Sequence, residues 1–137
     1  MIQIVKDSDT RPWFFLQTAH TTYGMWVMET GHLEHLYYGE RITVDSQDPS
    51  SCAPLVIQRA FAPGNTCTYD REHPQISMED ICLEVGTLGK GDIREPFLEV
   101  RFADGSVTSD FTFDSYEVIT LKEREQCLQD SGLPHSY

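Results

Sequence analysis

The chain is short and acidic, which limits both its size class and its partners. Its 137 residues are enough for one domain with a modest core. Asp and Glu number 22 against 10 Lys and Arg, for a formal net charge of −12, which argues against nucleic acid or an anionic membrane surface as partner. No apolar run approaches the ~18–20 residues that a membrane-spanning helix needs.

The first third of the chain is predicted to form short β-strands separated by turns. Thr30 and Gly31 are turn residues between two stretches rich in aromatic and β-branched side chains, a pattern typical of a hairpin. The predicted extended segments are 2–5, 13–17, 23–28, 33–38 and 41–44.

A long segment without periodicity follows, from Asp45 to Gln75. Loops of this length in compact domains are usually functional or disordered. Arg59 and Phe61 lie within it, and a ring beside an arginine suits sugar binding, because pyranose faces stack on rings while hydroxyls bind charged donors. The alternative is a loop that only packs on the sheet. Residues 77–80 could start one helical turn, or be a loop that precedes the next strand.

A glycine-rich run, 84–96, precedes the last predicted strands. Gly86, Gly89 and Gly91 indicate backbone with positive φ or a close approach. Asp92 and Arg94 flank one residue, so on extended backbone they point the same way. We interpret them as an ion pair or backbone clamp that fixes this loop.

Regular alternation then predicts strands at 97–102 and 107–113, joined by a turn at Asp104 and Gly105. Further strands are predicted at 81–85 and 116–121, and 122–130 is a possible short helix. No internal repeat or βαβ pattern is evident. The sequence therefore predicts an all-β, antiparallel partial supersandwich with one long irregular loop.

Histidine and cysteine patterns indicate neither a metal site nor a thiol enzyme. His32 and His35 are three residues apart, so on a strand they face opposite sides and could not bind one metal together. The cysteines have no Cys-x-x-Cys spacing. With no apolar signal-peptide core near Met1, reduced thiols in a cytoplasmic protein are expected. The cysteines are Cys52, Cys67, Cys82 and Cys127.

Several motifs occur in the order and spacing of one known family. Residues 91–96, Gly-Asp-Ile-Arg-Glu-Pro, resemble the Gly-Asp-Phe-Arg-x-Pro element of the N-terminal domain of microbial glycoside hydrolase family 36 α-galactosidases, with Ile93 in place of Phe. Residues 33–39 resemble its Leu-x-His-Leu-Tyr-Tyr/Trp-Gly signature, and 59–63 its Arg-Ala-Phe-Ser-Pro element. The similarity extends from about Phe14 to the last residue. Gln58 stands where the family has Asp.

The resemblance implies that residues 1–137 are the non-catalytic N-terminal β-sandwich domain of a larger retaining α-galactosidase. Both catalytic aspartates of that family come from a (β/α)₈ barrel that this chain is too short to contain, so no catalytic residue, metal or cofactor is expected here. The domain would brace the barrel, support a homo-oligomer and line a neighbouring active site for α-galactoside oligosaccharides through Arg59 and Phe61. An α-N-acetylgalactosaminidase of the same family remains open.

Two other functions remain open at this level. One is an independent carbohydrate-binding module, and the other is a β-sandwich used only for protein interaction. A partial sandwich would also leave a strand edge or an apolar face uncovered, and such surfaces pair with other chains. Self-association is therefore expected.

Overall fold

A four-stranded antiparallel sheet dominates the structure. The computed structural model describes residues 1–6, 11–60, 68–92 and 95–119, without the side chains of residues 79, 91 and 92. The strands are β1 (Ile2–Lys6), β2 (Pro12–Gln17), β3 (Thr21–Val27) and β4 (Leu33–Glu40), adjacent in that order. This confirms the all-β class and the first four predicted strands.

Short elements complete the regular structure of the described residues. Two 3₁₀-helices span Pro49–Leu55 and Met78–Asp80, and the second shows that the helical turn, not the loop, is the correct alternative for residues 77–80. The two-residue strands β5 (Thr87–Leu88) and β6 (Gly91–Asp92) pair in parallel. No helix among the described residues is long and apolar enough to cross a membrane.

The strand register defines two faces of the sheet. Val5 pairs with Trp13, Trp13 with Trp26, and Trp26 with Glu34, so these side chains share the inner face. On the outer face, Ile2, Leu16, Tyr23 and Tyr38 form a row across all four strands. A β-bulge at Gly24 and Met25 shifts the register of β4, so that Met25 pairs with His35 but Gly24 with Tyr37.

The irregular segment after β4 covers the inner face. Val44 and Cys52 from this segment pack with Val5, Trp13 and Phe15 in one buried cluster. The first 3₁₀-helix begins at Pro49, and the Asp48 carboxylate caps it by accepting a hydrogen bond from the Ser50 amide at 3.0 Å. The segment after β4 therefore supplies two of the five buried residues of the main core.

A second cluster lies at the end of β3. Met28 packs there with Ile76, Met78 and Ile81. The segment 68–77 closes on itself, because the Tyr69 amide donates to the Ile76 carbonyl at 2.8 Å. This closure holds the second half of the long loop against the sheet.

The strands predicted at 81–85, 97–102 and 107–113 were wrong. The turn between the last two forms, with Gly105 at φ +86° and the Phe102 amide donating to the Ser106 carbonyl at 2.9 Å. The flanking residues form no ladder with other described residues beyond that turn; Leu98 makes a single bridge to Thr87. Alternating apolar residues favour a strand only where a neighbouring strand is available to pair with it. The exposure of Phe97, 79%, shows that this end of the segment is not packed in that way.

Other predictions had mixed outcomes. The turn at Thr30 and Gly31 is confirmed, with Gly31 at φ +83°, and Gly89 of the glycine-rich run also has positive φ, +80°. The strand predicted at 41–44 was wrong, as was the described part, 116–119, of the strand predicted at 116–121. Residues 120–137, which include the possible helix at 122–130, lie outside the described residues.

Candidate functional site

A buried ion pair joins the long loop to the sheet. Glu34 is 1% exposed on the inner face of β4. The Arg59 guanidinium donates from Nη2 to Oε1 of Glu34 at 2.5 Å and from Nη1 to Oε2 at 3.3 Å. A bidentate ion pair of this kind fixes the direction of the guanidinium and neutralises both charges.

Two further contacts complete the surroundings of this pair. The Trp26 indole N–H donates to Oε2 of Glu34 at 2.8 Å, which follows from the pairing of Trp26 with Glu34 in the sheet. Arg59 Nη2 also donates to the Asp80 carbonyl at 3.2 Å. Only 12% of the Arg59 side chain is exposed, and its Nε is buried without a partner among the described residues. Arg59 is thus held in one position.

A cleft of about 210 Å³ opens beside this pair. It is smaller than the ~300–1,000 Å³ of sites for drug-sized ligands, which limits it to about one sugar ring. Its walls mix amide and charged groups with apolar residues, a combination suited to a ligand with hydroxyls and an apolar face. The lining residues are Arg11, Trp26, Met28, Glu29, Val56, Ile57, Gln58, Arg59, Gln75 and Ile76. We call this the Arg59 cleft.

A polar network lies at the end of the β3–β4 hairpin. His32, 2% exposed, contacts Thr30 Oγ1 through Nδ1 at 2.8 Å and Asp110 Oδ1 through Nε2 at 2.7 Å. Tyr69 donates its hydroxyl to Asp110 Oδ2 at 2.9 Å, and the Lys90 ammonium lies 4.8 Å from the Tyr69 ring centroid. Three separate segments, at residues 32, 69 and 110, therefore meet at one carboxylate, and a fourth contacts the Tyr69 ring through Lys90, which gives this network a structural role.

A third polar group lies on the outer face. Tyr23 donates its hydroxyl to Glu84 Oε2 at 2.6 Å, and His35 Nδ1 lies 3.2 Å from Glu84 Oε1. The Tyr23 and His35 rings are in contact, with centroids 4.9 Å apart. His32 and His35 thus have separate partners. The described residues contain no group of three or more potential metal ligands.

Two tyrosines should titrate at unusually high pH. Hydrogen bonding to Glu84, together with burial, raises the pKa of Tyr23 to about 12. Burial, together with hydrogen bonding to Asp110, raises the pKa of Tyr69 to about 12. The stability that these contacts provide is therefore fully present below the ordinary tyrosine pKa of about 10 and is lost as the pH rises toward 12.

An ultraviolet titration of the tyrosinate band checks this expectation. Tyr23→Phe and Tyr69→Phe should each remove one ionisation near pH 12 and leave the rest of the titration curve unchanged. Loss of an ionisation near pH 10 from either variant would contradict the assigned contacts.

The structure describes only part of the predicted site. Arg59 lines the cleft, but Phe61 and Arg94 lie outside the described residues, and Asp92 is described only as backbone in β6. The interpretation of Asp92 and Arg94 as a clamp stays a prediction. Sequence reasoning missed Glu34 and Asp110, because a buried carboxylate is recognised by its partners. Arg59 lies 25 positions from Glu34, and His32 lies 78 positions from Asp110.

Comparison with known proteins identifies the domain type. Residues 31–137 match the family model described as the glycosyl hydrolase family 36 N-terminal domain. The bifunctional alpha-galactosidase/sucrose kinase AgaSK of Mediterraneibacter gnavus is 35% identical over 122 residues, which cover 88% of this chain and 12% of AgaSK. Alpha-galactosidase AgaA of Geobacillus stearothermophilus is 27% identical over 124 residues, covering 90% of this chain and 15% of AgaA.

Solved structures agree with these matches. The crystal structure of the alpha-galactosidase from Lactobacillus brevis aligns with a TM-score of 0.65 at 30% identity, covering 82% of this chain and 14% of that one. The galactosidase domain of AgaSK aligns with a TM-score of 0.62 at 30% identity, covering 83% and 15%. This chain thus spans between 12% and 15% of the length of these relatives. The chain belongs to the glycoside hydrolase family 36 N-terminal domain family.

Proposed function

We propose that residues 1–137 act as one non-catalytic domain of an α-galactosidase that hydrolyses terminal α-galactosides. The observation that carries the proposal is the Arg59 cleft, where a fixed arginine and apolar residues line a space of about one sugar unit. The relatives that the chain matches are named alpha-galactosidases, which supports the substrate class.

In this proposal the domain has two roles. It braces the catalytic part of the enzyme, and its long loop, with Arg59 and Phe61, contributes to sugar binding. Because Glu34 already neutralises Arg59, the arginine would offer a directed donor and a rigid cleft wall more than a free charge. Exposed contacts to sugar would come from neighbours such as Gln58.

The proposal extends to assembly and location. Apolar side chains remain exposed on the outer face and on the segment after β6, among them Leu16, Phe97 and Phe102. Surfaces of this kind favour association with other protein segments, which supports a homo-oligomeric enzyme. The free thiols of Cys52 and Cys82 fit a reducing, cytoplasmic location.

A segment exchange tests the proposal. This chain should replace the matching segment of AgaSK and leave an enzyme that releases nitrophenol from a nitrophenyl α-galactoside, whereas AgaSK lacking the segment should be inactive. In the hybrid, Gln58→Ala should raise KM with little change in kcat, because Gln58 is exposed on the cleft wall.

Gln47→Ala serves as the matched control, since Gln47 is an exposed glutamine of the same loop that does not line the cleft. A folded hybrid as inactive as the deletion would overturn the proposed role of the domain. Equal KM values for the two alanine variants would overturn the role of the cleft.

A further inference from the structure

An exposed aromatic ring stands on the outer face of the sheet. Tyr38, on the edge strand β4, is 71% exposed, and its ring centroid lies 6.0 Å from that of Tyr23 on β3. The pairing of Tyr23 with Tyr38 fixes the two rings side by side. The inner face carries Trp26 and Glu34, so this surface is on the opposite side of the sheet from the Arg59 cleft.

Fixed polar groups adjoin this ring. The Glu84 carboxylate accepts a hydrogen bond from the Tyr23 hydroxyl through Oε2 and contacts His35 Nδ1 through Oε1. Both of its oxygens are therefore oriented. The backbone holds Glu84 in place, because its amide donates to the Leu33 carbonyl at 2.9 Å and the His35 amide donates to the Cys82 carbonyl at 2.8 Å. His35 and Glu84 are both partly exposed, and His35 Nε2 has no partner among the described residues.

These features select one class of ligand. Glu84 and the net charge of −12 disfavour an anion. Glu84 is also the only carboxylate of the group and is already engaged, which does not suit a hard cation that needs six or more oxygen ligands. A neutral ring with one apolar face and several hydroxyls fits both the exposed ring and the oriented polar atoms.

We propose that Tyr38, His35 and Glu84 form a pyranose-binding subsite on the outer face, separate from the Arg59 cleft. The sugar stacks its apolar face on Tyr38, while its hydroxyls bind Glu84 oxygens and His35 Nε2. This subsite would hold a second sugar unit or a second oligosaccharide. Sugar binding at this subsite does not require catalysis. Its test is therefore independent of the proposed enzymatic function.

Nuclear magnetic resonance titration of the 137-residue chain with methyl α-galactopyranoside tests the subsite. Saturable shifts of amide signals from residues 23, 35, 38 and 84 are expected. Tyr38→Ala should weaken binding about tenfold, the equivalent of about 1.4 kcal/mol for a lost stacking contact. Tyr38→Phe keeps the ring and should bind within about twofold of the unchanged chain. Because the Tyr38 side chain is mostly exposed, both variants should fold.

Four results would overturn the proposal, the last of them obtained with a control ligand. The first is a titration without saturable shifts. The second is saturable shifts confined to residues 26, 58 and 59, which would assign the sugar to the cleft alone. The third is equal affinity of the chain and Tyr38→Ala. Sorbitol is the control ligand, because it has hydroxyls but no ring face; equal shifts with sorbitol would also exclude stacking.

Discussion

Replacing Arg59 with methionine should lower the free energy of unfolding by about 3–5 kcal/mol, because it leaves an unpaired carboxylate in the protein interior. Glu34 is 1% exposed and binds Arg59 through both oxygens. Methionine retains most of the apolar stem of arginine. The loss of stability therefore reflects the unpaired Glu34 charge more than lost packing. Urea denaturation followed by tryptophan fluorescence measures the change.

The matched control is the double variant Glu34→Gln with Arg59→Met. Glutamine removes the charge but keeps an acceptor for the Trp26 indole N–H. The double variant should therefore recover most of the stability that Arg59→Met loses. Exposed ion pairs contribute less than about 1 kcal/mol. A loss of unfolding free energy in that range for Arg59→Met alone would contradict the burial of this pair.

Replacing Asp110 with alanine should lower the free energy of unfolding by about 1–3 kcal/mol, because it leaves the buried His32 ring without its acceptor. The same change removes the acceptor of the Tyr69 hydroxyl. Asp110→Asn keeps one acceptor oxygen and should therefore lose less unfolding free energy than Asp110→Ala. Thermal unfolding by circular dichroism ranks the three proteins.

The effect of Asp110 should also depend on pH. Burial raises the pKa of its carboxyl, but hydrogen bonds from His32 and Tyr69 outweigh burial and hold the pKa below its ordinary value. A depressed pKa gives stability that is present above the unfolded pKa of about 4 and is lost as the pH falls through the folded pKa. The difference between the unchanged chain and Asp110→Ala should therefore shrink in acid. A difference that grows below pH 4 would contradict this assignment.

The hairpins of the sheet could be predicted from the sequence because their signals are local. Turn residues such as Gly31 punctuate stretches rich in aromatic and β-branched side chains, and register then follows from short connections. The same signals failed for 97–113, where the turn at Gly105 forms but the flanking residues make only single backbone hydrogen bonds, from Leu98 to Gly86 and from Phe113 to Gly31, and build no ladder with the other described residues. Local pattern predicts a turn, whereas a strand also needs a partner elsewhere in the chain.

The candidate site was predictable only in part, for the same reason. Arg59 could be selected from the composition of the long loop and from its motif. Glu34 could not, because it sits in a strand where alternation does not tell whether a carboxylate faces solvent or an arginine 25 residues away. The surface of Tyr38, His35 and Glu84 likewise depends on a backbone bridge between β4 and residue 83.

The assignment of the chain as a non-catalytic domain is tested most directly by turnover. The purified 137-residue chain is incubated with a nitrophenyl α-galactoside, with AgaSK as the positive control, and nitrophenol release is followed by absorbance. The predicted result is a rate equal to that of buffer alone. Release above buffer that co-elutes with the chain through gel filtration would contradict the account, because it would place a complete hydrolytic site within these 137 residues.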